Sequence, residues 1–483
     1  MMTLTQLIAQ VGSPAMPLRV CCDSRMVQPG DIFVAVAGSK SDGHDFIGQA
    51  VRQGARYIVC QKPVPAGEGA QQILVQDTAV ALGQLAQAAY GYPNSQLTNL
   101  AVTGTNGKTT TAYLVRSVLN TASQRCGLIG TIQYDMGDQI IDAPLTTPDP
   151  LTLAAAARRM LDHGARFMVI EASSHALVQR RLAGISFTAA AFTNLTGDHL
   201  DYHKTLQDYL SAKTLLFTDL PVHGLAVLNA DSEAAGQIAK RIRHRVLWYS
   251  LRREADIRAE IETMDSTGSE FSLVFRNIKE KVQTPLAGLH NISNHLAAAG
   301  LCFAVGLDVP TVAEGLSALQ VVPGRLEPIP CGQADEAGIR VFVDYAHTDD
   351  ALRNVLSTLR PLCEGRLVVV FGCGGDRDKT KRPRMAQVAQ ALADWVIVTS
   401  DNPRTEEPEA IIQDILKGFT DQFRRTVLAE PDRRAAIRTA IHSGKPGDVI
   451  LIAGKGHENY QIFGTEKVHF SDQEEALRAM SEL

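Results

Sequence analysis

The sequence predicts an α/β protein of about three domains, built mainly from parallel sheets covered by helices. Three observations carry this reading. The chain has 483 residues, and a domain commonly takes roughly 150. Short apolar runs alternate with helical patterns along most of its length. Four such runs near the C-terminus, at residues 341–344, 367–371, 395–399 and 449–453, each end in a polar loop. Strands that are apolar on both faces suit a parallel sheet between helix layers. Loops leaving the ends of those strands gather at one edge, where open α/β sheets bind ligands.

Composition narrows the class. Hydrophobic residues make up 45% and charged residues 20%, an ordinary globular balance, and the net charge of -5 argues against a general nucleic-acid binder. The first ten residues lack the basic start and apolar core of a signal peptide. No stretch approaches the roughly 18 apolar residues of a membrane span. The eight cysteines form no CxxC pair, so neither a disulfide scaffold nor a zinc site is expected. A soluble cytoplasmic enzyme is the expectation.

Taken in order, residues 31–37 and 55–60 read as strands and 46–53 as a helix. Cys21 and Cys22 read as buried in a strand. The loops at Cys22-Asp23-Ser24-Arg25 and Gly38 to His44 are either surface turns or a polar-ligand site touched by Ser24 and residues 40–42. Residues 90–94 read as a hinge. Residues 100–102 form a short strand, followed by Gly104-Thr105-Asn106-Gly107-Lys108-Thr109 and a helix over 108–121. A glycine-rich turn lets backbone N–H groups approach an anion, and the helix N-terminus and Lys108 add positive charge. Val102 stands where the full phosphate-loop pattern has its first glycine. Thr109 occupies the position that usually places a hydroxyl on Mg²⁺.

Residues 166–171 read as a strand ending in Glu171. This carboxylate is either a magnesium ligand or a solvated strand end. Gln179 and Arg181 contact a phosphate or cap a helix. After a strand at 189–194, Asp198, His199, Asp201 and His203 fall within six residues, a density that favours a site. Lys213 on the next helix reads alone as a solvated side chain. Residues 250–282 read as polar hairpins. Asn291 and Asn294 precede a helix at 296–305, where they bind a base edge or cap the helix. Pro323-Gly324-Arg325 reads as the exit from the second domain.

These residues together resemble the Mur ligases of peptidoglycan synthesis. The resemblance rests on residues 104–110, Glu171 to His175, Asn194 to Asp201, Tyr209 to Lys213, His290 to Asn294, Pro323 to Arg325 and Asp344 to His347. It spans nearly the whole chain in order. Gly372 to Arg377, Asp401-Asn402-Pro403-Arg404 and Gly454 to Glu458 are similar to the loops of members that take diaminopimelate.

The resemblance implies a UDP-substrate domain over residues 1–88, a central phosphate-loop ATPase domain over 89–326 and a C-terminal Rossmann-like domain over 327–483. It implies ATP and Mg²⁺, with UDP-N-acetylmuramoyl-L-alanyl-D-glutamate and meso-diaminopimelate as substrates, and a monomer as the working unit. ATP would meet Gly104, Thr105, Asn106, Gly107, Lys108, Thr109, Thr110, Asn291, Asn294, Arg325 and Asp344. Thr109 and Glu171 would hold one Mg²⁺. His199 and a carbamate on Lys213 would hold another, which reverses the solvated reading of that lysine. Lys108, His199 and Lys213 would carry catalysis. The muramoyl substrate would meet Cys22, Ser24, Ser39, Lys40, Ser41, Thr146, Thr147, Ser173, Gln179 and Arg181. Diaminopimelate would meet Arg377, Asp401, Asn402, Pro403, Arg404, Gly454 and Glu458.

The family usually has proline where this chain has Asp349. That departure bears on the loop's conformation more than on its chemistry. The implied reaction makes an acyl phosphate that an amine attacks. A lysine-adding Mur ligase, a folylpolyglutamate synthetase, an ordinary phosphate-loop NTPase and a silent UDP-sugar binder are the alternatives.

Overall fold

Among the described residues, three large sheets succeed one another along the chain, each assembled from neighbouring segments, with a two-stranded ribbon, Tyr460–Phe463 and Glu466–His469, near the end. The computed structural model describes residues 2–13, 18–38, 41–64, 69–198, 200–265, 268–330 and 332–483. The first sheet runs Val20–Cys21, Ile32–Val34, Tyr57–Cys60, Gln71–Leu74, all parallel. Helices Leu4–Val11 and Thr78–Ala89 bury Leu7, Leu82 and Leu85 against Ile32, Val34 and Val59. The strand read at 31–37 is shorter because Ala37 leaves the sheet to bridge Asp42. Cys21 is buried as expected, but Cys22 is exposed. The strand stops there because the Asp23 carboxylate accepts from the Arg25 N–H and starts a 3₁₀ turn, Ser24–Met26.

Residues 90–94 are tied down rather than free to act as a hinge. Gln87 Nε2 donates to Asn94 Oδ1 at 2.8 Å, and Asn94 Nδ2 donates to Asn99 Oδ1 at 3.0 Å, all buried. Helix Thr78–Ala89 also presses directly on the central domain. A Cβ on Gly83 would lie 2.2 Å from the Ala183 carbonyl oxygen, so only glycine allows this approach.

Among the described residues, the central sheet has eleven strands, in the order Ile278–Thr284, Gly268–Phe275, Ile257–Asp265, Arg245–Ser250, Leu225–Asn229, Ala189–Phe192, Thr98–Thr103, Phe167–Glu171, Cys126–Ile129, Gln133–Asp135 and Ile140–Asp142. Its middle is parallel and its two margins antiparallel. Residues 250–282 are therefore not merely polar hairpins. Phe271, Leu273, Phe275 and Val282 share one core with Val118 and Leu296, because alternation gives these strands one apolar face. Helix Leu289–Ala304 begins well before residue 296, so Asn291 and Asn294 lie inside it and are buried.

The third sheet runs Glu327–Pro328, Arg340–Asp344, Val449–Ala453, Leu367–Phe371, Trp395–Val398, Leu428–Ala429, parallel after the first pair. Helices cover both its faces. Among the described residues, no helix is long and apolar enough to cross a membrane.

Candidate active site

The phosphate loop joins strand Thr98–Thr103 to helix Lys108–Thr121. Gly107 caps that helix at φ 87° with no side-chain hydrogen bond, which leaves the first N–H groups available to an anion. A Cβ there would lie 2.2 Å from Asn294 Oδ1. Lys108 Nζ donates to the carbonyls of Gly104 at 3.0 Å and Thr105 at 2.8 Å. Lys213, on helix Leu206–Thr218, is buried rather than solvated. Its Nζ donates to the Gly104 carbonyl at 2.7 Å and lies 4.3 Å from the centre of the Tyr209 ring. Burial, then repulsion from Lys108, pushes its pKa well below that of an ordinary lysine, against an opposing pull from Asp198.

Thr109 Oγ1 donates to Glu171 Oε2 at 3.0 Å and accepts from Arg325 Nη2 at 3.0 Å. The fully buried Glu171 carboxylate also accepts from Thr131 N and Thr131 Oγ1, both at 2.8 Å. Among the described residues, no group of three or more His, Cys, Asp or Glu side chains gathers as a metal cage. One hydroxyl and one carboxylate nonetheless suit Mg²⁺, which keeps water and phosphate oxygens as most of its ligands. His199 lies outside the described residues. Asp198, part of the cluster noted in the sequence but given no role there, acts electrostatically on Lys108, Lys213 and His347.

Beside the loop is a cavity of about 190 Å³ lined by Asn106, Gly107, Thr110, Asn291, Asn294, Arg325 and Asp344, with Tyr345 and His347. The Arg325 guanidinium lies 4.6 Å from the Tyr345 ring centre. The Asp344 carboxylate accepts from the N–H groups of Leu326 at 2.6 Å and Ala346 at 2.7 Å, fixing this wall. The third domain reaches the phosphate loop directly, since Asn106 Nδ2 donates to Asp350 Oδ2 at 2.9 Å. Sequence reading missed Asp350; its place next to the Asp349 departure was the available signal. Asp349 itself opens helix Asp349–Leu359, with Thr348 as an extended N-cap, so the loop keeps its course without proline.

A larger cavity, about 680 Å³, lies between the first sheet and the central domain. It brings together Cys22, Ser24, Ser41, Gln179 and Arg181, and adds Phe46, Gln49 and Asp149, which the sequence did not single out. Ser39 and Lys40 lie outside the described residues. Arg181 donates to Gln179 Oε1 at 2.7 Å and to the Thr147 carbonyl at 2.7 Å. Thr147 Oγ1 donates to the Glu171 carbonyl at 2.6 Å and stands 3.2 Å from Ser173 Oγ. Thr146 Oγ1 stands 3.1 Å from Thr131 Oγ1, which bonds Glu171. A polar track thus leads from this cavity to the phosphate loop.

Three loops meet at the C-terminal edge of the third sheet. Arg404 sits at φ 54° and its Nη1 donates to the Gly375 carbonyl at 2.8 Å. The residue is locked by Arg404 N to the Ile462 carbonyl at 3.0 Å. Asn402 Nδ2 donates to Glu458 Oε2 at 2.9 Å. A Cβ on Gly454 would stand 3.2 Å from Asp401 Oδ2. Arg377 is exposed at the margin, its Nη1 donating to the Asp376 carbonyl at 3.3 Å. Just beyond Pro403 and Arg404, Glu406 accepts from the buried Arg382 at 2.9 and 3.0 Å and from Asp376 N at 2.7 Å. Arg382 holds the Glu406 carboxyl down at about 2.

A phosphate loop with a buried lysine beside it, and a set of strand-end loops in a third domain, fit a nucleotide-dependent ligase, and the chain belongs to the Mur ligase family. The family's models match along it as a Mur ligase family catalytic domain at residues 19–90, a Mur ligase middle domain at 102–302 and a Mur ligase glutamate ligase domain at 324–456. Two relatives are named UDP-N-acetylmuramoyl-L-alanyl-D-glutamate–2,6-diaminopimelate ligase. The one from Bacillus licheniformis is 44% identical over 467 residues, 95% of this chain and 94% of that protein. The one from Gloeobacter violaceus is 45% identical over 460 residues, 95% of this chain and 93% of that protein. A solved structure with the same name superposes with a TM-score of 0.68 at 35% identity, covering 97% of this chain and 96% of that one. The fold is shared more widely. A Mycobacterium tuberculosis folylpolyglutamate synthase, solved with ADP and AMPPCP, gives a TM-score of 0.63 at 20% identity, covering 76% of this chain and 91% of that one.

Proposed function

We propose that this chain is the ATP-dependent ligase that joins meso-2,6-diaminopimelate to UDP-N-acetylmuramoyl-L-alanyl-D-glutamate in peptidoglycan synthesis. The observation that carries this reading is the Asp401-Asn402-Pro403-Arg404 loop, fixed beside Glu458 at the edge of the third sheet. The γ-phosphoryl group of ATP passes to the D-glutamyl γ-carboxylate, the acceptor amine attacks the resulting acyl phosphate, and phosphate leaves. A free carboxylate is a poor electrophile, so ATP supplies its leaving group. Chain residues position and neutralise rather than form covalent intermediates.

In this reading the loop residues 104–110 cradle the phosphates, with Lys108 turning from its present carbonyl contacts to the anion. Asn291, Asn294, Arg325 and Asp344 hold the nucleoside end. Thr109 and Glu171 hold one Mg²⁺, and His199 with a carbamate on Lys213 another; the ions supply charge neutralisation at the phosphates. A buried lysine whose pKa is lowered by burial suits carbamate formation, in which its amine attacks carbon dioxide and releases a proton. Cys22, Ser24, Ser39, Lys40, Ser41, Thr146, Thr147, Ser173, Gln179 and Arg181 take the UDP-muramoyl dipeptide. Arg404 grips the distal carboxylate of diaminopimelate with a bidentate fork, Glu458 meets its ammonium, and Arg377, Asp401, Asn402, Pro403 and Gly454 complete the pocket. The domains divide as 1–88, 89–326 and 327–483. The enzyme works as a monomer in the cytoplasm; the seven described cysteines, all unpaired, suit a reducing compartment.

Phosphate release tests the assignment. With UDP-N-acetylmuramoyl-L-alanyl-D-glutamate and ATP present, meso-diaminopimelate should support turnover and L-lysine should not. Turnover with lysine alone would overturn the substrate.

A further inference from the structure

The acceptor loops enclose a lysine that the mechanism above leaves unused. Lys455, in the loop after strand Val449–Ala453, is fully buried. Its Nζ stands 3.2 Å from Glu458 Oε2, 3.2 Å from Asn402 Oδ1 and 3.6 Å from Asp401 Oδ1. Asn402 closes the ring by donating Nδ2 to the same Glu458 oxygen at 2.9 Å. One cation therefore touches three side chains delivered by two different strand ends.

The neighbouring buried cation does something else. Arg433 forms a fully buried pair with Asp472 at 2.7 Å and donates to the carbonyls of Ser400 at 3.2 Å and Ala453 at 2.9 Å. Those two residues immediately precede the loops, so Arg433 fixes their backbone while Asp472 balances its charge. What remains is one ammonium between two carboxylates, a set with one negative charge in excess. That is the complement of a single acceptor ammonium.

We infer that Lys455 is a positioning residue for the acceptor: it holds Asp401, Asn402 and Glu458 in one arrangement and lets both carboxylates ionise together, so that Glu458 faces the incoming ammonium as an anion. The inference rests on the reading of Glu458 as an acceptor contact.

Two carboxylates in one site oppose each other's ionisation unless a cation lies between them. Burial and the Asp401 charge already raise the Glu458 carboxyl above its ordinary range. Burial would raise Asp401 too, but Lys455 and then Arg433 hold it below. Other groups face the cluster. Tyr345 and Tyr460 flank Glu458, both with phenol pKa values raised by burial, so they carry no charge near neutrality. His347 and Lys381 act on Asp401, and Arg404 acts on Tyr460. The two tyrosines act on both carboxylates but bring no cation, and Arg433, which acts on both from behind, has its charge balanced by Asp472. Without Lys455, repulsion from Asp401 keeps Glu458 protonated to higher pH, and a neutral carboxyl holds an ammonium poorly.

The test compares Lys455→Met and Lys455→Arg with the unaltered enzyme. KM for meso-diaminopimelate and for ATP is measured from about pH 6.5 to 9.5. A charge at this distance shifts a carboxyl by about 1–3 units. The methionine variant should therefore show a diaminopimelate KM raised about tenfold near neutrality and recovering as pH rises, with KM for ATP unchanged. The arginine variant, which keeps the cation, should follow the unaltered profile. A KM raised by one factor at every pH, an unchanged KM, or an equal loss for ATP would overturn the proposal, as would failure of both variants to fold. Calorimetry on the unaltered enzyme gives an independent arm. Binding of meso-diaminopimelate at pH 7, measured in buffers of different ionisation enthalpy, should release no proton from the site; release of about one proton overturns the proposal. Glu458→Gln separates the two readings. If it leaves KM for diaminopimelate unchanged, the placement of Glu458 fails; if it raises KM while Lys455→Met shows no pH dependence, only the role of Lys455 fails.

Discussion

Lys213 and Lys455 are both buried lysines, and they stand at the two ends of the site. Lys213 donates to a backbone carbonyl, lies beneath a tyrosine ring and has a second lysine, Lys108, as its electrostatic neighbour. Lys455 sits among two carboxylates and an asparagine. Burial disfavours the Lys213 ammonium, with Asp198 pulling the other way, whereas Lys455 has two carboxylates within ion-pair distance. The first environment suits an amine waiting to be modified, the second an ammonium paired with carboxylates. Residue type and burial are the same; the neighbours assign opposite chemistry. On the proposed assignment, the phosphate-loop end would be indifferent to the acceptor, whereas the end at Lys455 would discriminate through its charge pairs.

Substitutions can break that division. The largest effect is expected from Lys213→Ala, which should lower phosphate release by about 10²–10³-fold for every acceptor, the scale of losing a main electrostatic group at developing charge. Depleting carbon dioxide from the unaltered enzyme should lower its activity and bicarbonate should restore it, while the alanine variant stays unresponsive. A bicarbonate response in that variant would remove the contrast between the two lysines.

Arg404→Ala should act at the other end only. Losing a bidentate charge-assisted contact is expected to raise KM for meso-diaminopimelate by about 10–100-fold, with ATP affinity nearly unchanged by equilibrium titration. Equal losses for both ligands would mean that the two ends are not separate.

The support behind Arg404 is expected to show in stability rather than turnover. Glu406 is held at about 2 by Arg382, against an ordinary 4.5. A lowered carboxyl stabilises the fold fully above its unfolded value and loses that contribution as pH falls through the folded one. Glu406→Gln should therefore cost about 2–3 kcal/mol near neutrality, with the difference shrinking between about pH 4.5 and 2. Thermal melts across that range would show it, and a difference independent of pH would argue for packing instead of charge.

The smallest effect is expected at the seam between the ends. Asp349→Pro should change stability by less than about 0.5 kcal/mol. The first helical position tolerates proline, and Thr348 is already extended as a residue before proline must be. The loss is a 3.4 Å pairing with Arg384. A marked fall in melting temperature would show that the aspartate does more than occupy the turn.

Much of this was legible in the sequence because local rules and global fold agree there. Helix Lys108–Thr121 and strands Leu367–Phe371 and Val449–Ala453 lie where periodicity put them. Other features depended on tertiary contacts. Asn291 and Asn294 are poor helix formers in isolation, yet burial against the phosphate loop carries helix Leu289–Ala304 through them. Phe271 and Val282 alternate with polar residues, so their strands read as exposed hairpins until the sheet they extend is known. Lys213 reads as solvated by its spacing alone, and only the resemblance reversed that. Lys455 lay inside the Gly454 to Glu458 loop noted in the sequence, but its burial among polar side chains was not legible there, because Asp401 and Asn402 arrive from about 50 residues upstream by a parallel crossover.

The contact between Gly83 and Ala183 has a thermodynamic consequence for the large cavity. Its two walls belong to different sheets, and such clefts commonly close only when a ligand orders them. Here the walls are already pressed together at backbone distance, with a buried Gln87–Asn94–Asn99 chain beside the joint. A ligand entering that cavity meets a mould rather than a hinge, so little of its binding energy goes into arranging the protein. Enlarging one glycine far from any reacting atom would turn the mould back into a hinge, and weaker substrate capture would follow with every catalytic side chain still in place.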